Sequence, residues 1–261
     1  MSRVLWIASY PKSGNTWLRF LIANLIYGDV DSAATLQRLV PDIHELDTRA
    51  LQVPATPVLM KTHFLYSAQL PLAALTAGAI YILRDPADVM MSNYHYRQRS
   101  LAGGKDDEPD FELYVDSFVA ALGDPRWRQL GMGSWVDNVR SWLGVRHPFP
   151  VLRIRYEDLL TDGHKVAELL CRSRGLAADA GRVARAVAEA SFQSMRRIEE
   201  ADISAQRIGI FYKPYLQASI DAGLRFMRSG RSGEAARRMS FSQWQKFNNA
   251  FGSLRQEFGY G

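Results

Sequence analysis

The sequence is poor in cysteine and has no long apolar run. Cys171 is the single cysteine among 261 residues, which excludes an internal disulfide and a zinc site built from a cysteine cluster. It lies in the apolar helical pattern VAELLCRSRGL, where we expect a buried and inert thiol. No segment reaches membrane-spanning length, and the first residues lack the apolar core and cleavage site of a signal peptide. We therefore expect a cytoplasmic protein without membrane insertion.

The composition is equally free of extremes. With 47% hydrophobic and 23% charged residues, the chain is typical of globular proteins, and its length suits a single domain over residues 1–261. A formal net charge of +5 is compatible with a polyanionic ligand but does not require one. The sequence contains no recognisable nucleic-acid-binding module, so nucleic acid is not an expected partner.

The segment over residues 7–17 resembles a phosphate-binding loop without its usual lysine. It reads IASYPKSGNTW, whereas an ordinary P-loop reads G-x-x-x-x-G-K-[ST] and uses that lysine to reach the terminal phosphates of a nucleoside triphosphate. Here Asn15 follows Gly14, Ser9 replaces the first glycine, and the positive charge of Lys12 stands near the loop entrance. Backbone N–H groups and the start of the following helix can still bind an anion. The sequence therefore predicts an anion-binding loop whose ligand need not be ATP.

Short strand-forming runs alternate with helical patterns along the chain. The predicted strands are Val4–Ala8, Val58–Met60, Ala79–Leu83 and Val151–Ile154. This alternation predicts an α/β fold with a central parallel sheet flanked by helices. The polar motifs SYPKSGNT, KTH, RDP and RYED end or follow these runs, and open parallel sheets bind ligands at the carboxyl ends of their strands. We therefore expect one site at this edge.

Helix and loop signals complete this pattern. Asp85 is the expected N-cap of a helix that has Pro86 in its first turn. The polar, glycine-containing stretch Arg97–Tyr114 is predicted to be a long loop, either a lid or a simple connection. The basic segment 228–238 indicates either a solvated turn or an anion clamp. Aromatic residues at helical spacing over 244–258 predict a helix that packs on the core.

Taken in order, these motifs resemble the cytosolic-type sulfotransferases that use 3′-phosphoadenosine 5′-phosphosulfate (PAPS). The ordered set is SYPKSGNTW, KTH, YILRDPADVMMSNYHY, GSWVDNVRSW, RYEDL, ASFQSM and FMRSGRSGE, and the resemblance covers most of the chain. It implies a three-layer, P-loop-like fold and transfer of a sulfuryl group from PAPS, without a metal, to a hydroxyl or amine of a small-molecule acceptor. GSWVDNVRSW is similar to bacterial members that act on natural products.

The resemblance also implies roles for individual residues. The 5′-phosphosulfate would be held by Lys12, Ser13, Gly14, Asn15 and Thr16. The adenine would lie against Trp17, Phe192 and Tyr156. The 3′-phosphate would be bound by Arg84, Ser92, Arg228, Ser229 and Gly230. The catalytic residues would be His63, Lys12 and Lys61.

The chemistry of sulfuryl transfer suits these residue types. His63 titrates near neutrality and can accept the acceptor's proton. Lys12 and Lys61 can follow the charge that develops on the leaving and sulfuryl oxygens. The fixed fork of Arg84 matches a phosphate and would select PAPS over ATP.

Several alternatives remain open from the sequence. A P-loop kinase and a non-catalytic binder of nucleotide or nucleic acid are the competing functions. Arg84 could instead pair with Asp88, Ser92 could simply lie inside a helix, and residues 156–158 could cap a helix beginning at Leu159.

Other side chains carry less information. We expect His95 near the acceptor entrance, and three further histidines at the surface: His44, His147 and His164. The segment Ala236–Gln245 does not match the dimerisation motif of many animal members, so the oligomeric state stays open.

The acceptor cannot be identified from its expected contacts. The segments expected to cover it are residues 97–114 and 200–224. Nearby aromatic residues favour an apolar or phenolic acceptor, while sugar, lipid and peptide acceptors stay possible.

Overall fold

The computed structural model describes residues 3–47, 56–101, 110–173 and 179–260. Four strands in these residues form one parallel sheet in the order β2-β1-β3-β4. They are β1 (Val4–Ala8), β2 (Val58–Thr62), β3 (Thr76–Leu83) and β4 (Val151–Arg155). All four predicted strands are confirmed, and the last three are longer than the sequence indicated.

Helices connect the strands and cover both faces of the sheet. They are α1 (Asn15–Ile26), α2 (Ala33–Leu39), α3 (Pro86–Leu101), α4 (Phe111–Ala120), α5 (Pro125–Gln129), α6 (Trp135–Leu143), α7 (Tyr156–Thr161), α8 (Gly163–Ser173), α9 (Ala180–Glu189), α10 (Phe192–Ser204), α11 (Gln217–Asp221), α12 (Glu234–Arg238) and α13 (Phe241–Glu257). Short 3-10 helices cover Ile43–Glu45, Ala73–Leu75 and Pro214–Leu216.

The sheet separates two hydrophobic cores. Trp6 and Tyr81 pack on one face with residues of α3, α4, α6 and α13, whereas Leu5, Ile7 and Ile80 pack on the other with α1, α8 and α9. Alternate residues of a strand point to opposite faces, so β1 and β3 are buried on both sides, as is usual in parallel sheets. The three-layer α/β prediction is confirmed.

Other local predictions are also confirmed. Cys171 is buried in α8. Pro86 begins α3, and the Asp85 carboxylate accepts a hydrogen bond from the Ala87 N–H at 2.8 Å. The predicted terminal helix is α13, whose Phe247 is fully buried. No helix of the described ranges is long and apolar enough to cross a membrane.

One local prediction is wrong, and one alternative is excluded. The expected loop over 97–114 is largely helical where it is described, because α3 continues to Leu101 and α4 begins at Phe111, after an N-cap by Asp110; residues 102–109 lie outside the described ranges. The alternative in which residues 156–158 cap a helix beginning at Leu159 does not hold, because α7 begins at Tyr156. The Tyr156 ring therefore occupies the start of α7, beside the carboxyl end of the sheet.

Candidate active site

Residues 9–14, the first part of the motif predicted to bind the phosphosulfate, connect β1 to α1 through left-handed backbone. Lys12 has φ 69° and Gly14 has φ 101°, a region that glycine enters with little strain. A Cβ atom on Gly14 would lie 2.5 Å from Cδ2 of Tyr156. Glycine is therefore required at this position both by the backbone dihedral and by the close Tyr156 ring.

Asn15 ties this loop to the preceding strand. Its Nδ2 donates to the Ile7 carbonyl at 3.1 Å and to the Ser9 hydroxyl at 3.2 Å. The Ser13 N–H donates to the Tyr10 carbonyl at 3.3 Å, while the buried Ser13 hydroxyl has no partner in the described structure. The Ser13 hydroxyl and the N–H groups of the first turn of α1 can therefore donate hydrogen bonds to a bound anion. The Asn15 side chain instead holds the loop against β1.

His63 follows β2, and the end of β1 orients its ring. Nδ1 lies 2.8 Å from the Ser9 carbonyl oxygen and 3.2 Å from the Ser9 hydroxyl. Because the carbonyl can only accept, Nδ1 carries the hydrogen and Nε2 keeps its lone pair. Burial, reinforced by the charge of Lys61, holds the pKa of His63 well below its usual value. The imidazole is therefore neutral at pH 7 and able to accept a proton at Nε2.

Two residues missed in the sequence, Asp42 and His44, support the end of β2. Lys61 Nζ donates to Asp42 Oδ2 at 2.6 Å, and both side chains are buried. Burial lowers the pKa of Lys61 to about 8, although Asp42 favours its charged form. His44 Nε2 accepts a hydrogen bond from the His63 backbone N–H at 2.9 Å. The expectation that His44 is a surface residue is wrong, because it lines the site and holds the backbone of His63.

Lys12 extends into the cavity between two aromatic rings. Its Nζ lies 4.3 Å from the centroid of Tyr96 and 4.2 Å from that of Phe226, within the range of cation–π interaction. Burial, and then the nearby charge of Arg99, lowers the pKa of Lys12 to about 7. An anion placed beside this amine would favour its protonated form and raise its pKa.

Arg84, directly after β3, joins the loop to the basic segment 228–238. Nη1 donates to the Lys12 carbonyl at 3.2 Å, and Nη2 donates to the Arg231 carbonyl at 3.0 Å. The guanidinium carbon lies 4.0 Å from the Tyr156 ring centroid, and Nε is buried without a partner in the described ranges. Arg84 therefore joins the loop before α1 to the basic segment, and its Nε remains able to donate a hydrogen bond.

Asp88 does not form the ion pair with Arg84 that the sequence left open. Its carboxylate accepts from the N–H groups of Gly233 at 2.8 Å and Glu234 at 3.1 Å. Glu234 in turn pairs with Arg228. These contacts fix the basic segment against α3 at the edge of the cavity.

Three aromatic side chains form a wall beside Arg84. The rings of Trp17 and Tyr156 meet edge to face, with centroids 5.6 Å apart. Gly230, with φ 58°, passes so close to Phe192 that a Cβ atom would lie 2.6 Å from the ring carbon Cδ2. Such a wall suits a flat heteroaromatic ring, because aromatic faces offer large contact area without needing hydrogen bonds.

The predicted residues meet around one cavity of about 730 Å³, a size typical of small-molecule sites. Every residue predicted for the cofactor or for catalysis lines it except Ser13. Its remaining walls are largely apolar and include Phe64, Tyr96, Trp127, Leu130 and Met132. The arrangement combines anion-binding groups, a neutral histidine and an apolar compartment in one space.

A smaller cavity of about 160 Å³ adjoins the first and shares Lys12, Ser92 and Arg228 with it. His95, expected near the acceptor entrance, lines this smaller cavity instead. Its Nδ1 lies 2.9 Å from Gln98 Oε1, one turn along α3.

Comparison with known proteins identifies the family to which this fold and site belong. A model of the sulfotransferase domain matches residues 2–259. The chain belongs to the sulfotransferase family. This match confirms the predicted family and enzyme class, a PAPS-dependent sulfotransferase.

Curated relatives of this sulfotransferase are distant in sequence but similar over nearly the whole chain. Dog sulfotransferase 1A1 is 27% identical over 257 residues, spanning 94% of this chain and 80% of the relative. Rat sulfotransferase 2A1 is 27% identical over 252 residues, spanning 95% and 82%.

Solved structures confirm the fold of the sulfotransferase. Mouse sulfotransferase SULT7A1 complexed with PAP superposes with a TM-score of 0.66 at 20% identity, covering 98% of this chain and 84% of that one. Retinol dehydratase in a complex with retinol and PAP gives a TM-score of 0.70 at 17% identity, covering 97% and 81%.

Proposed function

We propose that this sulfotransferase transfers a sulfuryl group from PAPS to a hydroxyl or amine of a small-molecule acceptor by in-line displacement, with His63 as the general base. The observation that carries the proposal is the single cavity in which the neutral His63, the loop at the start of α1 and the Arg84 clamp meet. The neighbouring apolar compartment offers room for an organic acceptor, phenolic or otherwise hydroxylated.

The residues present fit the donor. The buried Ser13 hydroxyl and Arg84 Nε lack partners in the described structure, and polar groups of this kind favour a ligand that completes their hydrogen bonds. Gly14 and Gly230 keep the backbone close to the aromatic wall where a side chain would intrude. PAPS, when bound, supplies the sulfuryl group; Lys12 and residues 13–16 would hold its 5′ end and Arg84, with residues 228–230, its 3′-phosphate.

His63 supplies the proton-accepting atom. Its Nδ1–H is committed to the Ser9 carbonyl, so Nε2 takes the proton that the acceptor oxygen or nitrogen loses as it bonds to sulfur. Because the pKa of His63 is depressed, its imidazole is already neutral and accepts this proton directly. Lys61 helps to keep this ring neutral, and Asp42 holds Lys61 in place.

Lys12 is the group suited to the leaving phosphate. An amine with a pKa of about 7 gains a full positive charge when phosphate lies beside it, and charge developing on the leaving oxygen strengthens that interaction. Tyr96 and Phe226 restrict the ammonium to one region of the cavity.

The kinase alternative receives less support. A kinase of this fold needs the lysine after Gly14 and an acidic magnesium ligand, but Asn15 occupies the first position. The nearest acid, Asp85, accepts from the Ala87 N–H and pairs with Arg255 at 2.8 Å.

Calorimetric titration with 3′,5′-adenosine bisphosphate, beside ADP and magnesium-ATP, tests the donor assignment. We expect the bisphosphate to bind without metal and at least about tenfold more tightly than ADP, since each charge-assisted phosphate contact contributes about 1.5–3 kcal/mol. Arg84→Ala should abolish most of this preference. Equal affinity for the two nucleotides, or preference for magnesium-ATP, would contradict the proposal.

The affinity for the bisphosphate should depend on pH through Lys12. Its pKa is about 7 in the free protein and higher beside phosphate, so binding takes up a proton. The affinity for the bisphosphate is then at its maximum below pH 7. It falls as pH rises through 7, by up to about tenfold per pH unit. Calorimetry at pH 6.5, 7.5 and 8.5, in buffers of different ionisation enthalpy, measures both the affinity and the proton uptake.

Lys12→Arg is the matched control for this pH dependence. Its guanidinium stays charged throughout the range, so the variant should bind with little change between pH 7 and 8.5. A wild-type affinity that is equally flat would exclude titration of Lys12 in this range.

A further inference from the structure

Arg99 is a buried cation that the proposed donor site does not use. It lies on α3, is 3% exposed, and lines both the large cavity and the smaller one beside it. His63 lines the same large cavity. A charged side chain in this position is costly unless a partner compensates it.

The hydrogen bonds of Arg99 leave part of its guanidinium available. One Nη donates to the Phe211 carbonyl at 2.6 Å, whereas Nε is buried without a partner in the part of the chain described. The Ser219 hydroxyl donates to the Arg99 backbone carbonyl. Both partners belong to the segment 200–224, so Arg99 is fixed where that segment covers the cavity.

The other arginines around the smaller cavity already have carboxylate partners. Arg196 and Arg225 share Glu200 at 3.2 Å and 3.0 Å, and Arg228 pairs with Glu234. Within the described ranges no ion pair includes Arg99 or Lys12. Glu199 favours the charged forms of both side chains, but its oxygens accept hydrogen bonds from the N–H groups of residues 226 and 227. Because the charge of Arg99 disfavours the charged form of Lys12, a further anion beside Arg99 would relieve a remaining electrostatic cost.

Arg99 lies farther along α3 than Ser92, although Ser92 and Arg228 line the smaller cavity with it. It follows Ser92 by seven residues, which corresponds to about 10 Å along a helix. Arg84 and Asp88, at the end of α3 nearest the sheet, are bonded to Arg231 and Gly233, whereas Arg99 is bonded to Phe211. Phe211 and Ser219, the partners of Arg99, belong to the segment 200–224 that is predicted to cover the acceptor, so we assign the anion at Arg99 to the acceptor.

We propose that Arg99 binds an anionic group of the acceptor, so that the enzyme selects hydroxylated or amine-bearing acceptors that also carry a carboxylate. This inference rests on the proposed function, because it assumes that the cavity holds donor and acceptor together. Tyr96 and Phe226, which line the same space, would contact the apolar body of such an acceptor.

Matched pairs of phenols test this selectivity. The probes are 4-hydroxybenzoate, 4-hydroxyphenylacetate and 3-(4-hydroxyphenyl)propanoate, each beside its neutral amide, so that only the charge changes within a pair. Two readouts are taken: sulfation from radiolabelled PAPS, and calorimetric binding to the protein loaded with 3′,5′-adenosine bisphosphate. We expect the carboxylate of at least one pair to bind and react about tenfold better than its amide, as for a charge-assisted hydrogen bond.

The variants locate the effect. Arg99→Gln should remove the preference for the carboxylate without lowering bisphosphate affinity, and Arg99→Lys should retain part of the preference. Arg128→Gln, which removes an exposed charge from α5, is the control and should behave as wild type. If Arg99→Gln does not fold, the wild-type preference and Arg99→Lys still decide the question.

The outcomes distinguish the two proposals. Failure of the wild type to bind the bisphosphate contradicts the proposed function itself. Normal bisphosphate binding with equal use of carboxylates and amides in all three pairs contradicts the role of Arg99 alone. A loss of bisphosphate affinity in Arg99→Gln as large as in Arg84→Ala would also contradict it, since Arg99 would then belong to the donor site.

Discussion

Replacing His63 by alanine is expected to lower turnover about 100-fold or more while leaving the affinity for 3′,5′-adenosine bisphosphate nearly unchanged. The turnover falls because the ring presents Nε2 as a neutral base, with Nδ1–H fixed by the Ser9 carbonyl. The affinity persists because the proposed phosphate contacts come from the loop before α1 and from Arg84. A separation of turnover from binding is the signature of an interaction made in the transition state.

Single-turnover sulfation and calorimetric titration measure these two quantities in the same variant. His164→Ala is the control, because His164 is an exposed histidine on α8 and its removal should change neither. Normal turnover in His63→Ala would remove His63 from the mechanism. A parallel loss of nucleotide affinity would instead assign the ring to supporting the loop through Ser9.

The fold is predictable from the sequence because its decisive signals are local. β1 is buried along its whole length, so Val4–Ala8 appears as an uninterrupted apolar run, as expected for a central parallel strand. Polar motifs then follow each run where the strands end at a common edge. This is why the residues predicted for the site, although distributed from Lys12 to Gly230, line one cavity.

The supporting residues could not be predicted because long-range packing positions them. Asp42 caps the 3-10 helix Ile43–Glu45 and His44 lies within it. This turn has no hydrophobic period, and the bridge between Asp42 and Lys61 brings it to β2. Phe226 reaches Lys12 because Glu199 accepts hydrogen bonds from the N–H groups of residues 226 and 227. Tertiary contacts of this kind leave no local signal in the sequence.

The length of α3 illustrates the same limit. Arginine, glutamine and serine over residues 97–100 are as compatible with a surface loop as with a helix, and the glycines that follow favoured a loop. The helix persists because Arg99 is buried and bonded to Phe211. A residue over a hundred positions away therefore decides the conformation of this segment.

Replacing Gly14 by alanine is expected to destabilise the fold and to reduce bisphosphate affinity by at least about tenfold. Two effects add: the left-handed backbone costs about 1 kcal/mol for a residue with a Cβ atom, and overlap with the Tyr156 ring at 2.5 Å costs about 1–3 kcal/mol more. Relief of that overlap must move either Tyr156 or the loop. Both line the cavity, and displaced N–H donors lose charge-assisted bonds of about 1.5–3 kcal/mol.

Gly28→Ala separates these effects, because Gly28 follows the other end of the same helix, α1. It has φ 72° and nothing within 4 Å of the Cβ position, so it carries the backbone cost without the overlap. Denaturant unfolding should give a loss of about 1 kcal/mol for Gly28→Ala, with wild-type bisphosphate affinity, and a larger loss for Gly14→Ala. An equal loss of unfolding free energy in the two variants would mean that the Tyr156 ring moves aside at no cost. The close approach of that ring would then have no part in shaping the donor site.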